Sequence, residues 1–306
     1  MKILVATDKP FAAIAVNGIR KAIESAGMEL ALLEKYTEKA QLLEAVQEVD
    51  AIIIRSDIID GEVLDAAKQL KIVVRAGAGY DNVDLAAASA HNVCVMNTPG
   101  QNSNAVAELA LGMMVYGVRN LFNGSSGTEL TGKKLGIHAY GNVGRNVARI
   151  AKGFGMDIYA YDAYCPATAI GNDGVKALNS AEELYETCPF ISLHIPATAE
   201  TKNSINYQLL SKMPKGAMLI NTARKEVINE ADLAKMLEDR PDFKYMTDVM
   251  PAIHAELNEK YAGHYFSTPK KMGAQTAEAN INAGIAAANQ IVRFLNEGDR
   301  TFQVNS

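Results

Sequence analysis

Cysteine is scarce: Cys94, Cys165 and Cys188 are the only three in 306 residues, and no C-x-x-C pair occurs. Neither a disulfide framework nor a zinc site is signalled, and a reducing, cytoplasmic setting fits best. No apolar run approaches the ~18 residues of a membrane span. The opening Met1 to Ala6 stretch meets Thr7-Asp8-Lys9 too soon for a signal-peptide core. Basic residues are not in excess, since 30 Lys and Arg face 35 Asp and Glu for a formal charge of −5, with no Lys/Arg cluster. Nucleic acid and anionic membranes are therefore not expected as partners. Low-complexity tracts are also missing, which excludes a disordered or fibrous chain. What is present is 48% hydrophobic, enough for about two domains of ~150 residues.

Short β-branched runs alternate with helical stretches: Ile3 to Ala6, Leu30 to Leu33, Ala51 to Ile54, Ile72 to Val74, Val93 to Val95, Leu135 to Ala139, Ile158 to Tyr161, Phe190 to Leu193, Ala217 to Ile220 and Tyr245 to Val249. Because these runs are continuously apolar rather than alternating, they predict parallel strands covered by helices on both faces, in two doubly wound α/β sheets. A break is predicted after the fifth strand, at Asn97-Thr98-Pro99-Gly100-Gln101-Asn102-Ser103, before a helix from about Ala105 to Leu121. A last helix, Thr276 to Leu295, presents Ala283, Ile285, Ala288, Ile291 and Val292 at helical spacing. It is free to pack back on the first domain.

The strand before Ala139-Tyr140-Gly141-Asn142-Val143-Gly144, the helix after it and the strand ending at Asp162 form a dinucleotide-binding βαβ pattern. Gly141 lets backbone approach a pyrophosphate at the helix N-terminus, and Gly144 lets helix and strand pack closely. Ala139 stands where the pattern has its first glycine, and alanine serves there if its φ stays negative. Asp162, at about the ~20-residue distance of the motif, would accept hydrogen bonds from both ribose hydroxyls and repel a 2′-phosphate, which selects NAD over NADP. The bland alternative is a tight βα turn with no ligand.

With Arg75-Ala76-Gly77-Ala78-Gly79-Tyr80-Asp81, Asn97-Thr98-Pro99-Gly100, Ala105-Val106-Ala107-Glu108-Leu109, His194-Ile195-Pro196, Asn221-Thr222-Ala223-Arg224, Asp248-Val249 and Thr268-Pro269 in order, the sequence resembles the D-isomer-specific 2-hydroxyacid dehydrogenases along nearly its whole length. The resemblance implies a Rossmann NAD-binding domain, residues 101–275, inserted into a flavodoxin-like substrate-binding domain made of residues 1–100 and 276–306, with the active site in the cleft and no C-terminal regulatory domain. It implies cofactor contacts from Tyr140, Gly141, Asn142, Val143, Gly144, Asp162, His194, Ile195, Pro196, Thr222, Ala223 and Asp248. No metal is implied. A homodimer is, through the helix that begins near Ala105.

The resemblance further implies an Arg that binds the substrate carboxylate and keto oxygen, a His as general acid/base and a Glu that adjusts it. Arg224, following an apolar strand, fits the first role through its bidentate fork. The His is absent: after Thr268-Pro269 come Lys270-Lys271-Met272-Gly273-Ala274-Gln275-Thr276, with one residue inserted. Counting forward from Pro269 puts Lys270 at the His position, and counting back from Gly273 puts Lys271 there. A lysine does the same proton transfer if desolvation and neighbouring cations lower its pKa from ~10.4; the alternative is a pair of surface lysines. The family's Glu position is Ile253, and the nearest acid is Glu256, although a carboxylate beside a lysine base would raise its pKa. His254 and His264 read as loop histidines.

Arg55 and Arg75 each end a strand in the first domain, where both would face one anion. With backbone N–H groups at Ala76, Gly77 and Ala78 for the carboxylate, and Asn102 near the hinge at 97–102, they favour a phosphorylated three-carbon acid. The activity implied is NAD-dependent oxidation of 3-phospho-D-glycerate to 3-phosphooxypyruvate, which opens serine biosynthesis. The alternatives are a glyoxylate or hydroxypyruvate reductase of the same family and a nonenzymatic NAD-binding regulator.

Overall fold

A computed structural model describes residues 1–305, which separate into two compact units. The first comprises residues 1–102 and the segment from Thr276 onward. Its strands β1 (Lys2–Thr7), β2 (Glu29–Glu34), β3 (Ala51–Ile54), β4 (Ile72–Arg75) and β5 (Cys94–Asn97) form a parallel sheet ordered β2-β1-β3-β4-β5, the flavodoxin-like order. All four residues of β3 are buried, as the unbroken Ala-Ile-Ile-Ile run requires of a strand covered on both faces. Successive residues point to opposite faces. Ile3, Val5, Ile53 and Val74 therefore join a core with the helices Ala13–Ser25 and Ala277–Glu297, while Leu4, Ala6, Ile52, Ile54 and Val73 join another with Leu42, Val63 and Ala88.

The last helix, Ala277–Glu297, is a full member of this first core. The Thr276 hydroxyl caps it by accepting from Ala279 N–H at 3.1 Å, and Gly298, at φ +71°, ends it. It lies so close to the helix Ala13–Ser25 that a Cβ on Gly18 would meet Ile285 Cδ1 at 2.6 Å. Beyond it, Val304 N–H donates to Val95 O and Asn305 Oδ1 accepts from Val95 N–H at 2.8 Å. The outer edge of β5 is thereby covered.

The second unit, residues 103–275, contains β6 (Lys134–His138), β7 (Asp157–Tyr161), β8 (Lys176–Ala177), β9 (Phe190–Leu193), β10 (Met218–Asn221), β11 (Lys244–Thr247) and β12 (Tyr265–Ser267). The parallel order is β12-β11-β10-β9-β6-β7-β8. Counted from β6 this is the Rossmann order 3-2-1-4-5-6 with one more strand, and the order reverses between β6 and β9. β8 and β12 lie outside the strands read from sequence; both are short edge strands without a continuous apolar run.

The helix expected to reach Leu121 ends at Val118. Asn120, Leu121 and Phe122 then take φ of 51°, 55° and 55°, a left-handed turn that side chains with a Cβ adopt at a cost of roughly 1–2 kcal/mol each. Lys244 Nζ donates to Gly117 O at 2.8 Å and to Asn120 Oδ1 at 2.9 Å, which satisfies the helix end. Among the described residues no helix is long and apolar enough to cross a membrane.

Candidate active site

In the second unit the carboxyl end of β6 runs through Ala139 and Tyr140 into the helix Asn142–Gly153, with Gly141 as its N-cap. Gly141 supplies no side-chain cap, and a Cβ there would meet nothing within 4 Å. The first-turn amides thus face open space at the positive end of the helix, as a diphosphate-bearing cofactor needs. Gly144 is required for a different reason: a Cβ would stand 2.4 Å from Ala139 O. The expectation of a negative φ at Ala139 is overturned, since its φ is +78°. Its N–H donates to Tyr161 O at 2.9 Å while its carbonyl packs against Gly144, so the chain must turn sharply between them and alanine carries the strain.

Asp162 Oδ2 accepts from Tyr140 N–H at 2.6 Å, and Oδ1 accepts from Tyr164 and Cys165 N–H at 2.7 and 2.9 Å. These bonds fix the carboxylate beside the glycine loop and leave lone pairs for ribose hydroxyls. Tyr140 contributes backbone alone, because its ring is buried under the Arg145 guanidinium at 4.9 Å. A cofactor with a ribose diphosphate fits this set of residues.

Next along the strand ends, His194 follows β9. Its N–H donates to His138 O at 2.9 Å, and its ring meets Ser192 Oγ at 2.9 Å and Thr222 Oγ1 at 3.5 Å. Burial pushes the His194 ring down to about 3, with repulsion from His138 adding to it, and burial pushes His138 down to about 4. Both imidazoles are neutral near pH 7, and neither is matched to general-base work. Ile195, Pro196, Thr222 and Ala223 continue the same edge of the sheet.

Arg224 is placed by the buried Asn221, whose Nδ2 donates to Arg224 O at 3.1 Å and to Tyr245 Oη at 3.2 Å while its Oδ1 accepts from Ala223 N–H at 2.9 Å. Arg224 itself is half-buried and bonds only the Ala223 carbonyl; among the described residues no carboxylate pairs with it. Its fork therefore keeps donors for an anionic ligand.

Lys270 and Lys271 are both exposed in this unit, on a turn between Thr268 and Met272, so the protein groups around them do not supply the desolvation expected for a lysine base. Asp248, expected among the cofactor contacts, accepts at this turn from Thr268 Oγ1, Met272 N–H and Gly273 N–H at 2.7–2.8 Å. The expected assistant Glu256 is on the helix His254–Lys260 and pairs with Lys260 at 2.8 Å, one helical turn away and exposed. That pairing is local helix electrostatics. His254 bonds Tyr265 Oη at 2.8 Å, a packing role.

In the first unit Arg55 directly follows β3 and Arg75 ends the neighbouring β4. Arg75 Nε donates to Arg55 O at 3.0 Å, and a Cβ on Gly77 would fall 1.5 Å from Arg75 Nη1, so the guanidinium folds over that glycine. Arg55 is more committed than a phosphate ligand needs to be. It donates to Lys9 O, Pro10 O and Asn280 Oδ1 at 2.9, 3.2 and 2.7 Å and lies over the Phe11 ring, which leaves two of its five N–H donors. The backbone reading needs one correction: Ala76 N–H donates to Ile54 O at 2.8 Å, because it still belongs to the strand ladder. Gly77 and Ala78 are held by their carbonyls, which accept from Thr98 N–H and Asn97 Nδ2, and their own N–H groups remain for a ligand. Asn102 closes this part of the unit. Residues missed from sequence are Asn280, Asp57 and Asn82. Asp57 accepts from Asp8 N–H, Tyr36 Oη and Arg55 N–H, and Asn82 donates to Arg55 O and Asp57 O.

Residues 107–265 match the family described as D-isomer specific 2-hydroxyacid dehydrogenase, NAD binding domain. The sequence is 34% identical over 285 residues to a hydroxypyruvate reductase of Thermotoga maritima, covering 87% of this chain and 92% of that one. It is 33% identical over 272 residues to a D-3-phosphoglycerate dehydrogenase of Methanocaldococcus jannaschii, covering 84% of this chain and 52% of that one; the chain thus spans about half the length of the latter. The fold matches the NAD+-bound crystal structure of a 3-phosphoglycerate dehydrogenase from Entamoeba histolytica with a TM-score of 0.88 and 48% identity, over 100% of this chain and 99% of that one.

Proposed function

This chain belongs to the D-isomer specific 2-hydroxyacid dehydrogenases, NAD-dependent enzymes, and from that premise we propose that it oxidises 3-phospho-D-glycerate to 3-phosphooxypyruvate. The observation that carries the choice of substrate is the pair Arg55 and Arg75 at adjacent strand ends, joined by the Nε–H to carbonyl bond. Two adjacent cations match the charge of a phosphate dianion. Arg75 and the remaining donors of Arg55 hold the phosphate, and Gly77 and Ala78 N–H groups help hold the carboxylate.

Bound NAD would supply the hydride acceptor for C2. Gly141 with the amides of Asn142, Val143 and Gly144 holds its diphosphate, and Asp162 holds its ribose. Arg224 binds the carboxylate and polarises the C2 oxygen as alkoxide character develops. Lys270 or Lys271 takes the C2 hydroxyl proton. A homodimer, formed through the helix Ser103–Val118, and a cytoplasmic setting belong to the same proposal.

A hydroxypyruvate reductase is the second reading, favoured by the Thermotoga relative. Comparing kcat/KM for phosphohydroxypyruvate and hydroxypyruvate with NADH decides between them. Loss of two charged contacts costs about 2–4 kcal/mol, so the proposal expects a preference of at least about 30-fold for the phosphorylated acid. Equal or better use of hydroxypyruvate contradicts it. Binding of NADH with turnover of neither acid would identify a regulator.

A further inference from the structure

We propose that Asp57 is a positioning residue for the substrate phosphate, acting through the Arg55 main chain on which Arg75 is seated; this rests on the reading in which those two arginines hold that phosphate. Asp57 is 5% exposed between two exposed neighbours, Ser56 and Ile58. A carboxylate turned inward from such a loop is tolerated only where it is hydrogen-bonded. Its Oδ1 accepts from Asp8 N–H at 2.8 Å and from the Tyr36 hydroxyl at 2.7 Å, and its Oδ2 accepts from Arg55 N–H at 3.2 Å. Burial and this carboxylate push the Tyr36 hydroxyl above its ordinary range, so it stays a donor.

These donors come from the carboxyl ends of three strands. Asp8 follows β1, Tyr36 lies just past β2 and Arg55 follows β3. The loop after β4 joins through Asn82, whose Nδ2 donates to Asp57 O at 2.6 Å and to Arg55 O at 3.3 Å. The Arg55 main chain is therefore gripped on both sides: its N–H by the Asp57 carboxylate, and its carbonyl by Asn82 and by Arg75 Nε–H at 3.0 Å. That carbonyl is the seat from which the Arg75 guanidinium reaches a ligand, so a shift of the loop passes to the cation. The Arg55 side chain has separate anchors in Lys9 O, Pro10 O and Asn280 Oδ1. The charge of Asp57 acts in the opposite sense, because a carboxylate two residues from Arg55 repels a phosphate. The sign of a mutational effect thus separates positioning from charge.

The full chain is assayed with NADH against phosphohydroxypyruvate and hydroxypyruvate. Asp57→Ala is expected to raise KM for phosphohydroxypyruvate about 10-fold or more, with kcat at saturation held within about 3-fold. In the same variant kcat/KM for hydroxypyruvate and the NADH dissociation constant are each expected to stay within about 3-fold. Tyr36→Phe removes one bond and leaves the charge; it is expected to raise the same KM about 2–5-fold, and it decides alone if Asp57→Ala does not fold. A wild-type preference for the phosphorylated acid that persists undiminished in the variants overturns the proposal. So does a lowered KM in Asp57→Ala, which would leave the carboxylate with charge repulsion only, and so does an equal loss with both acids, the mark of a structural role. A wild-type protein without that preference overturns the phosphate reading, and the proposal falls with it.

Discussion

Arg75 is seated on the main chain of Arg55: its Nε–H donates to the Arg55 carbonyl at 3.0 Å, while the Arg55 side chain is tied to Lys9, Pro10 and Asn280. The two cations therefore differ in what their removal disturbs. Arg75→Met is expected to lower kcat/KM for phosphohydroxypyruvate by about 10–100-fold and for hydroxypyruvate by less than about 3-fold. Arg55→Met should lower both and also destabilise the protein by about 1–3 kcal/mol, because Asn280 and two carbonyls lose their donor. Urea unfolding alongside the kinetics checks the distinction, and equal effects on both substrates from Arg75→Met would remove the phosphate role.

Ala139, at φ +78°, is expected to welcome the glycine that the nucleotide pattern has at its place. Ala139→Gly relieves a left-handed alanine but frees the unfolded chain, for a net gain of up to about 1 kcal/mol. Thermal or urea denaturation with NADH binding unchanged is the expected result. A loss of stability would show that the turn carries no strain.

Glu256 is expected to be dispensable. Its pairing with Lys260 is exposed on both sides, and such pairs contribute a few tenths of a kcal/mol. Glu256→Gln should leave kcat within about 2-fold; a loss of more than about 10-fold would restore it as the partner of the base.

The neutral pair His138 and His194 predicts acid lability. Their folded pKa values lie at about 4 and about 3, below the ordinary histidine value of 6.5. As pH falls below 6.5 the unfolded chain binds protons that the folded one refuses, so stability is fully present above 6.5 and declines from there toward 4. The decline amounts to a few kcal/mol for His138 alone at the lower limit, on the order of 1.4 kcal/mol per pH unit. Urea midpoints at pH 7.5, 6 and 5 measure it, and a flat profile contradicts the burial of these rings. His138→Gln should flatten part of the slope.

Most of the sheet architecture was legible because parallel strands buried on both faces are near-continuously apolar, as in Ala51 to Ile54. β8 and β12 were not, since two- and three-residue edge strands carry no such run. The glycine loop and Asp162 were legible as spacing. The sign of φ at Ala139 was not, because it depends on Tyr161 O and on the backbone packed against Gly144. Long-range polar partners were the hardest to foresee: Asn280 meets Arg55 across 225 positions, and nothing in Asp248-Val249 signals that the carboxylate turns toward Thr268, Met272 and Gly273. Such pairings exist only once the chain has folded.

The account turns on a lysine doing the work of the absent histidine. Lys270→Met and Lys271→Met, each assayed at saturating NADH and phosphohydroxypyruvate across pH, test it directly. One variant is expected to lose about 100-fold or more in kcat, while the other stays within about 3-fold. If neither variant lowers kcat by more than about 10-fold, the proton is moved by another group and the assignment fails.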